Sequence, residues 1–328
     1  MENNTALNNL HDSISTRELT SDEVEELNSI MSAYETFYDP SYEDTTSETI
    51  EDTNIGNTET SVNSESETEV VEVIEENTQL EPIIPENSKT ILMNEYTSRF
   101  TGAIWYEKIK TMNVILAGLG GIGSYIGFLL SRLHINQLLL YDSDIVEAAN
   151  ISGQMYPTSS IGNYKTTALS NLVREFSEFY KYSTFSQRYT ENSMSKPIMI
   201  CGFDNMEARK VFFSKWLKHV RNSSHPEECL FIDGRLAAEE FQILSIQGND
   251  ERAIKEYQDR WLFSDDEAEA TICSYKQTTF MANIIASMMV NVFVNFVANL
   301  SNPAPVIPRD IPFFISYSAD TMFTKIEM

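Results

Sequence analysis

Apolar positions along this chain fall into two regimes. Up to about residue 88 they are sparse among Asn, Thr, Ser and Glu; beyond it, short apolar runs alternate with stretches of helical period. Val114, Ile115, Leu116 and Ala117 form a run closed by Gly118, the pattern of a strand buried on both faces. An apolar helix is predicted from about Ser124 to Leu133, and a second strand over Gln137–Tyr141. A turn at Pro157–Gly162 precedes a helix over Lys165–Phe176 with Ala168, Leu169, Leu172 and Val173 on one face. Strands are predicted near Ser183–Gln187, Pro197–Cys201, Cys229–Ile232 and Phe241–Ile246. Helices are predicted over Met206–His219 and Glu251–Leu262, the latter with Tyr257 and Trp261 as core contacts. This alternation predicts an α/β fold with a doubly wound, mostly parallel Rossmann-like sheet.

Phe280–Leu300 is the most apolar segment and long enough to raise a membrane span. Asn283, Ser287, Asn291, Asn295 and Asn299 recur every four residues, a polar stripe that lipid would penalise. A buried helix with one hydrogen-bonded edge is the expectation, and no membrane partner. Pro303–Pro312 reads as a linker before a strand at about Phe313–Tyr317, with an open C-terminus after it. The segment from Asn94 to Val114 reads as a helix leading into the first strand, with Arg99 among aromatics.

Charge sharpens the division. The net charge is -26, and roughly two dozen acidic residues precede Lys89 against one basic residue, Arg17, the composition of a disordered acidic tail. The expected organisation is a tail over 1–88, a nucleotide-binding domain over 89–302, and a proline-rich linker with a strand over 303–328. Within the tail, Thr20–Val24 resembles a helix start, and Leu27, Ile30 and Met31 line one side of a short helix to about Phe37. A solvated tail and a docking peptide are both open readings. No basic stripe is present, so no nucleic-acid partner is expected. Cys201, Cys229 and Cys273 are odd in number and widely spaced, which points to a reducing compartment and away from a cysteine zinc site. The N-terminus lacks a basic start with an apolar run, so the expected location is the cytoplasm.

The chemistry concentrates between Asn113 and Gln154. Gly118, Gly120, Gly121 and Gly123 sit between strand and helix, where backbone N–H groups can approach a phosphate at the positive end of a helix. Asp142 ends the second strand about twenty residues on, where an acid accepts hydrogen bonds from a ribose. The glycine spacing alone also suits dinucleotide enzymes. At or just beyond the predicted strand ends stand Asp142, Asp144, Asn150, Gln154, Lys165, Asp204 and Asn205, which a doubly wound sheet brings to one crevice. A ribose acid, a phosphate lysine and a magnesium aspartate suit a nucleoside triphosphate.

Four spaced motifs carry a resemblance: GLGGIG at 118–123, DSDIVEAANISGQ at 142–154, GNYK at 162–165 and DNMEAR at 204–209. From roughly Glu95 to Leu300 the chain resembles the ThiF/MoeB/HesA family, whose adenylation fold is shared with the ubiquitin-activating enzymes. The resemblance implies ATP-dependent activation, as acyl-AMP, of the C-terminal carboxylate of a small ubiquitin-like or sulphur-carrier protein or peptide, by a homodimer. It implies ribose binding by Asp142, nucleotide contact at Gly120 and Gly121, phosphate contacts from Lys165 and Asn150, and Mg²⁺ at Asp204. For Asp144 and Gln154, strand-end hydrogen bonding stands beside a catalytic part. For Arg209, bracing the helix start stands above substrate contact.

Two departures from the family pattern are visible. Gly153 stands where the family usually has an arginine, and the family's paired zinc cysteines are absent, so no zinc is expected. Arg99, through the family's habit of bringing an N-terminal arginine to the partner subunit's phosphates, and Arg235, beyond a strand end, are candidate replacements for the missing cation. Cys273, with Lys276 three residues on, is the candidate thiol for acyl transfer, with a buried structural cysteine as its other reading; Cys201 lies inside a strand. Besides the adenylyltransferase, two readings stay open. One is a degenerate nucleotide-binding scaffold that recognises a carrier tail without activating it, which Gly153 favours. The other is an NAD-dependent oxidoreductase, which Lys165 and Asp204-Asn205 oppose.

Overall fold

The computed structural model describes residues 95–100, 102–263 and 278–328. The acidic tail, its Thr20–Phe37 helix and Cys273 lie outside the described residues. A 3₁₀ turn, Ser98–Phe100, and the short helix α1, Tyr106–Ile109, stand where one lead-in helix is expected from the sequence. Then follow β1 (Asn113–Ala117), α2 (Gly121–Arg132), β2 (Gln137–Tyr141), α3 (Lys165–Ser177), β3 (Tyr182–Phe185), β4 (Ile198–Cys201) and α4 (Met206–Asn222). The chain continues with β5 (Leu230–Ala237), β6 (Glu240–Gln247), α5 (Glu251–Glu256) running into a π-helical turn Tyr257–Trp261, α6 (Thr279–Asn299), β7 (Phe314–Ser318) and β8 (Phe323–Glu327).

The eight strands form one sheet in the order β3-β2-β1-β4-β5-β6-β7-β8. The four pairings from β3 to β5 are parallel, and β5–β6, β6–β7 and β7–β8 are antiparallel. The continuous apolar runs follow from burial on two sides. Val114 and Leu116 of β1, with Leu138 and Leu140 of β2, meet α2, α3 and α6 through Ile126, Leu130, Leu169, Ile285 and Met289. The alternate positions Ile115, Ala117, Leu139 and Tyr141 meet α4 and α5 through Phe212, Phe213, Trp216 and Ile254.

Antiparallel pairing carries the last strands further than the sequence pattern suggests. β5 runs through Asp233-Gly234-Arg235 because β6 pairs with it over eight consecutive residues, and β8, where an open terminus is expected, adds five more pairs to β7. Among the described residues α6 is the one helix long and apolar enough to cross a membrane, yet most of its apolar window is buried against the sheet and α2. Its asparagine stripe has a structural use. Asn295 Nδ2 donates to Asp310 O, while Asn299 donates to Arg309 O and accepts from Arg309 N, fastening the 303–312 connection onto the helix.

Candidate nucleotide site

The loop between β1 and α2 is shaped by contacts that no side chain could share. Gly118 has φ +83°, a left-handed conformation, and a Cβ there would lie 2.5 Å from Gly202 C, at the end of β4. A Cβ on Gly123 would lie 1.9 Å from Gly118 O. The loops after β1 and β4 are therefore pressed together, and Phe203, whose nitrogen is 2.7 Å from that same Gly118 position, brings Asp204 and Asn205 to the glycine turn. The expected α2 start at Ser124 moves to Gly121, because the later glycines wind into the first turn rather than precede it.

Asp142 ends β2 with both carboxylate oxygens oriented. Oδ2 accepts from Leu119 N at 2.7 Å and Oδ1 from Asp144 N at 2.8 Å, leaving one lone pair on each oxygen for a ligand hydroxyl. Burial raises its pKa above the ordinary aspartate value, against the pull of the Asp144 and Leu119 N–H groups and the Lys165 charge. Lys165 opens α3; its N–H donates to Asp144 O and its Nζ meets Asp144 Oδ2 at 2.9 Å. The Ile145–Tyr164 bridge fastens the same loop. Asp144 itself is exposed, so its carboxylate holds the buried lysine at the solvent edge of the site.

Gln154 is buried, and its Oε1 has no hydrogen-bond partner, while its Nε2 lies 3.9 Å from where a Cβ on Gly120 would stand. A buried amide oxygen without a protein partner is costly, and the Nε2 of the same amide is the atom that lies toward Gly120. Asn150 behaves differently. Its Oδ1 accepts from Glu147 N in a capping box around the turn Ala148–Asn150, which uses its oxygen and not its Nδ2. Gly153 is buried, its N–H donating to Asn150 O.

Asp204 is exposed beyond β4, with Oδ1 accepting from Asn205 Nδ2 at 3.2 Å, and Asn205 caps α4 through Ala208 N at 2.9 Å. No group of three or more His, Cys, Asp or Glu side chains among the described residues is placed to hold a metal. An exposed single carboxylate next to a phosphate cradle suits Mg²⁺, which keeps waters and shares its shell with phosphate oxygens.

Arg209 braces the helix start, as the sequence favours: it is buried, bonded to Asp233, to Phe203 O and to Gly234 O. Arg235 is equally occupied. Its Nε donates to Asp233 Oδ2 at 2.9 Å and its Nη2 to Trp261 O at 2.7 Å, with the guanidinium over the Trp261 and Phe263 rings. Arg99 is exposed and makes no ion pair among the described residues. Cys201 is fully buried, and burial lifts its thiol far above the reactive range; Cys229 is pushed up to about 11 by the same cause.

Two supporting residues escape the motif reading. Tyr156, buried, donates from its hydroxyl to Leu119 O at 2.7 Å and so pins the glycine turn from below. Asp233, fully buried, joins Arg209, Arg235 and the Tyr257 hydroxyl. Tyr156 lies two residues past Gln154 and was within reach of the motif; nothing in the spacing ties Asp233 to Arg209.

A family model described as the ThiF family matches residues 92–322. The chain belongs to the ThiF family. Among curated relatives, ubiquitin-like modifier-activating enzyme 5 of Arabidopsis thaliana is 34% identical over 85 residues, 26% of this chain and 20% of its own. The Rattus norvegicus enzyme of the same name is 30% identical over 121 residues, 32% of this chain and 30% of its own. The matched region thus spans less than a third of these relatives' length. Among solved structures, PaaA superposes with a TM-score of 0.53 at 14% identity, covering 94% of this chain and 83% of its own. Escherichia coli MccB with ATP gives 0.52 at 17%, covering 75% and 79%. At that identity the likeness is one of fold, and it is the fold described above.

Proposed function

We propose that this ThiF-family chain is an ATP-dependent adenylyltransferase that activates the C-terminal carboxylate of a small ubiquitin-like protein or peptide. The observation that carries the reading is the pairing of the glycine turn with the oriented Asp142 carboxylate, whose Oδ2 is held by Leu119 N of that same turn. Membership of the family, the likeness to modifier-activating enzymes and the fold shared with an ATP-bound MccB support it. Asp142 would take the ribose hydroxyls, and the N–H groups at the start of α2 the phosphates. A carboxylate oxygen of the carrier attacks the α-phosphorus; the bond to pyrophosphate breaks, and the acyl-adenylate and pyrophosphate form. Mg²⁺ at Asp204 would neutralise the leaving phosphates when bound. The chain's own part is positioning and charge: Lys165, released from or shared with Asp144, supplies the cation on the phosphate side.

In a homodimer, exposed Arg99 is the arginine left to reach a neighbouring copy's phosphates, because Arg235 is committed to Asp233. That commitment, with Gly153, favours a second reading, a scaffold that binds nucleotide and carrier without activating either. ATP–pyrophosphate exchange with Mg²⁺ and glycine-ending carriers or peptides separates the two. Carrier-dependent exchange that vanishes in Asp204→Ala and Lys165→Ala supports adenylation. Binding of ATP without exchange in any pairing supports the scaffold, and tight NAD binding without ATP binding defeats both.

A further inference from the structure

Leu119, inside the glycine turn, is held on both sides by side chains. Its N–H donates to Asp142 Oδ2 at 2.7 Å, and its carbonyl accepts from the Tyr156 hydroxyl at 2.7 Å. The first contact fixes the peptide plane before Leu119, and the second fixes the plane after it. That second plane carries the Gly120 N–H. The Leu119–Gly120 peptide is trans, so its N–H and C=O point in opposite directions. With the carbonyl turned inward to a buried tyrosine, the Gly120 N–H is turned outward.

Outward there is room. Leu119 is fully buried while Gly120 is half-buried, and within 4 Å a Cβ on Gly120 would meet only Gln154 Nε2, at 3.9 Å. Among the described residues the Gly120 N–H donates to no other group, as befits the N-cap of α2, where helical partners are missing. Glycine also leaves this plane free to turn over, because φ of either sign suits it. Turned over, the plane would present a carbonyl oxygen where a phosphate oxygen must approach. The Tyr156 hydroxyl opposes that turn, and Tyr156 is itself well anchored. Its ring packs in the core with Leu119, and the neighbouring Met155 N–H donates to Ser124 Oγ of α2 at 3.0 Å. Burial and the Asp142 charge raise its pKa well above the ordinary tyrosine value, so the phenol remains a donor.

We propose, resting on the nucleotide reading of this turn but not on adenylyl transfer, that Tyr156 is a positioning residue. Through the Leu119 carbonyl it aims the Gly120 N–H at a nucleotide phosphate, and it touches no ligand itself. Tyr156→Phe removes the hydroxyl and keeps the ring. Calorimetric titration of the full chain with ATP and, separately, with adenosine distinguishes aiming from folding. In Tyr156→Phe, ATP affinity should fall about tenfold or more, the weight of one charge-assisted hydrogen bond, while adenosine affinity changes less than about twofold. Asp142→Asn, on the ribose side, should weaken both. With glycine isotope-labelled for NMR, the Gly120 amide signal should move downfield when ATP is added to the unaltered chain and stay in place in Tyr156→Phe. The unaltered chain alone can therefore sink the idea, whatever the variant's folding: a Gly120 signal unmoved by saturating ATP overturns it. Equal losses for ATP and adenosine would reduce Tyr156 to core packing, and unchanged ATP affinity would make its hydroxyl idle; each overturns the proposal and leaves the adenylyltransferase reading standing. If NAD binds in place of ATP, that reading fails, while a Tyr156→Phe loss on NAD but not on adenosine upholds the aiming role. A chain that binds no nucleotide defeats both.

Discussion

Replacing Asp233 by Asn keeps the shape of the side chain and removes its charge, in the most heavily invested polar cluster of the described fold. The carboxylate is fully buried and receives Arg209, Arg235 Nε and the Tyr257 hydroxyl, while the Arg209 side chain is itself 7% exposed. Asparagine leaves the Arg209 charge buried without a counter-charge, among neutral acceptors such as the carbonyls of Phe203 and Gly234. Breaking a buried ion pair from one side costs about 3–5 kcal/mol, because the surviving charge is left without compensation. For a domain of this size that corresponds to a fall in melting temperature of roughly 6–20 °C. Urea unfolding followed by tryptophan fluorescence measures it, since Trp216 and Trp261 lie in the same core layer. The reasoning makes a second demand. Removing Arg209 as well, as Asp233→Asn/Arg209→Met, eliminates the stranded charge, so the double variant should be no less stable than Asp233→Asn alone. A single-variant cost below about 1 kcal/mol, or losses that simply add, would refute the account of this cluster as a charge-compensated brace.

Two further outcomes follow from the nucleotide site. Gly123→Ala, whose Cβ would meet Gly118 O at 1.9 Å, should cost about 2–3 kcal/mol and weaken ATP binding at least tenfold. Gly127→Ala, whose added carbon meets only the flexible end of Leu169, should cost clearly less; equal losses by urea unfolding and ATP titration would contradict the cradle. Because burial raises the Asp142 carboxyl, ATP affinity should fall on acidification at a pH above the ordinary aspartate value of about 3.9. The stability term runs the other way: a raised folded-state pKa stabilises below the unfolded value and is lost as pH rises through the folded one. ATP titrations across pH, with Asp142→Asn giving weak and flat binding, check this, and a midpoint at or below the ordinary value would count against it.

How much of this was legible in the residues depends on what fixes each one. The β1–α2–β2 unit could be read because burial on two faces writes uninterrupted apolar runs, and the glycines between them mark the turn. The reach of β5 through Asp233-Gly234-Arg235 could not, since acid-glycine-base is local turn chemistry and only the pairing with β6 overrides it. β8 left no trace because a strand exposed on both faces has no hydrophobic period to show. Likewise the 251–262 helix was visible by its apolar spacing, but its change to a π turn at Tyr257, whose hydroxyl donates to Asp233, was not.

The same division runs through the site. Asp142, Lys165, Gln154 and the glycines stand at fixed spacing beside strand ends, and that spacing is what the sequence shows as motifs. The residues that hold them in place answer only to local geometry. Tyr156 reaches back to Leu119 across 37 positions and Arg209 reaches forward to Asp233 across 24, and many other residue pairs would serve the same mechanical end. Asn150 shows the limit from the other side. Its position in the motif implies a phosphate contact, yet its oxygen closes a capping box on Glu147 N. That box takes the amide oxygen alone, so the Nδ2 donors, the atoms a phosphate oxygen would meet, are not spent on the turn.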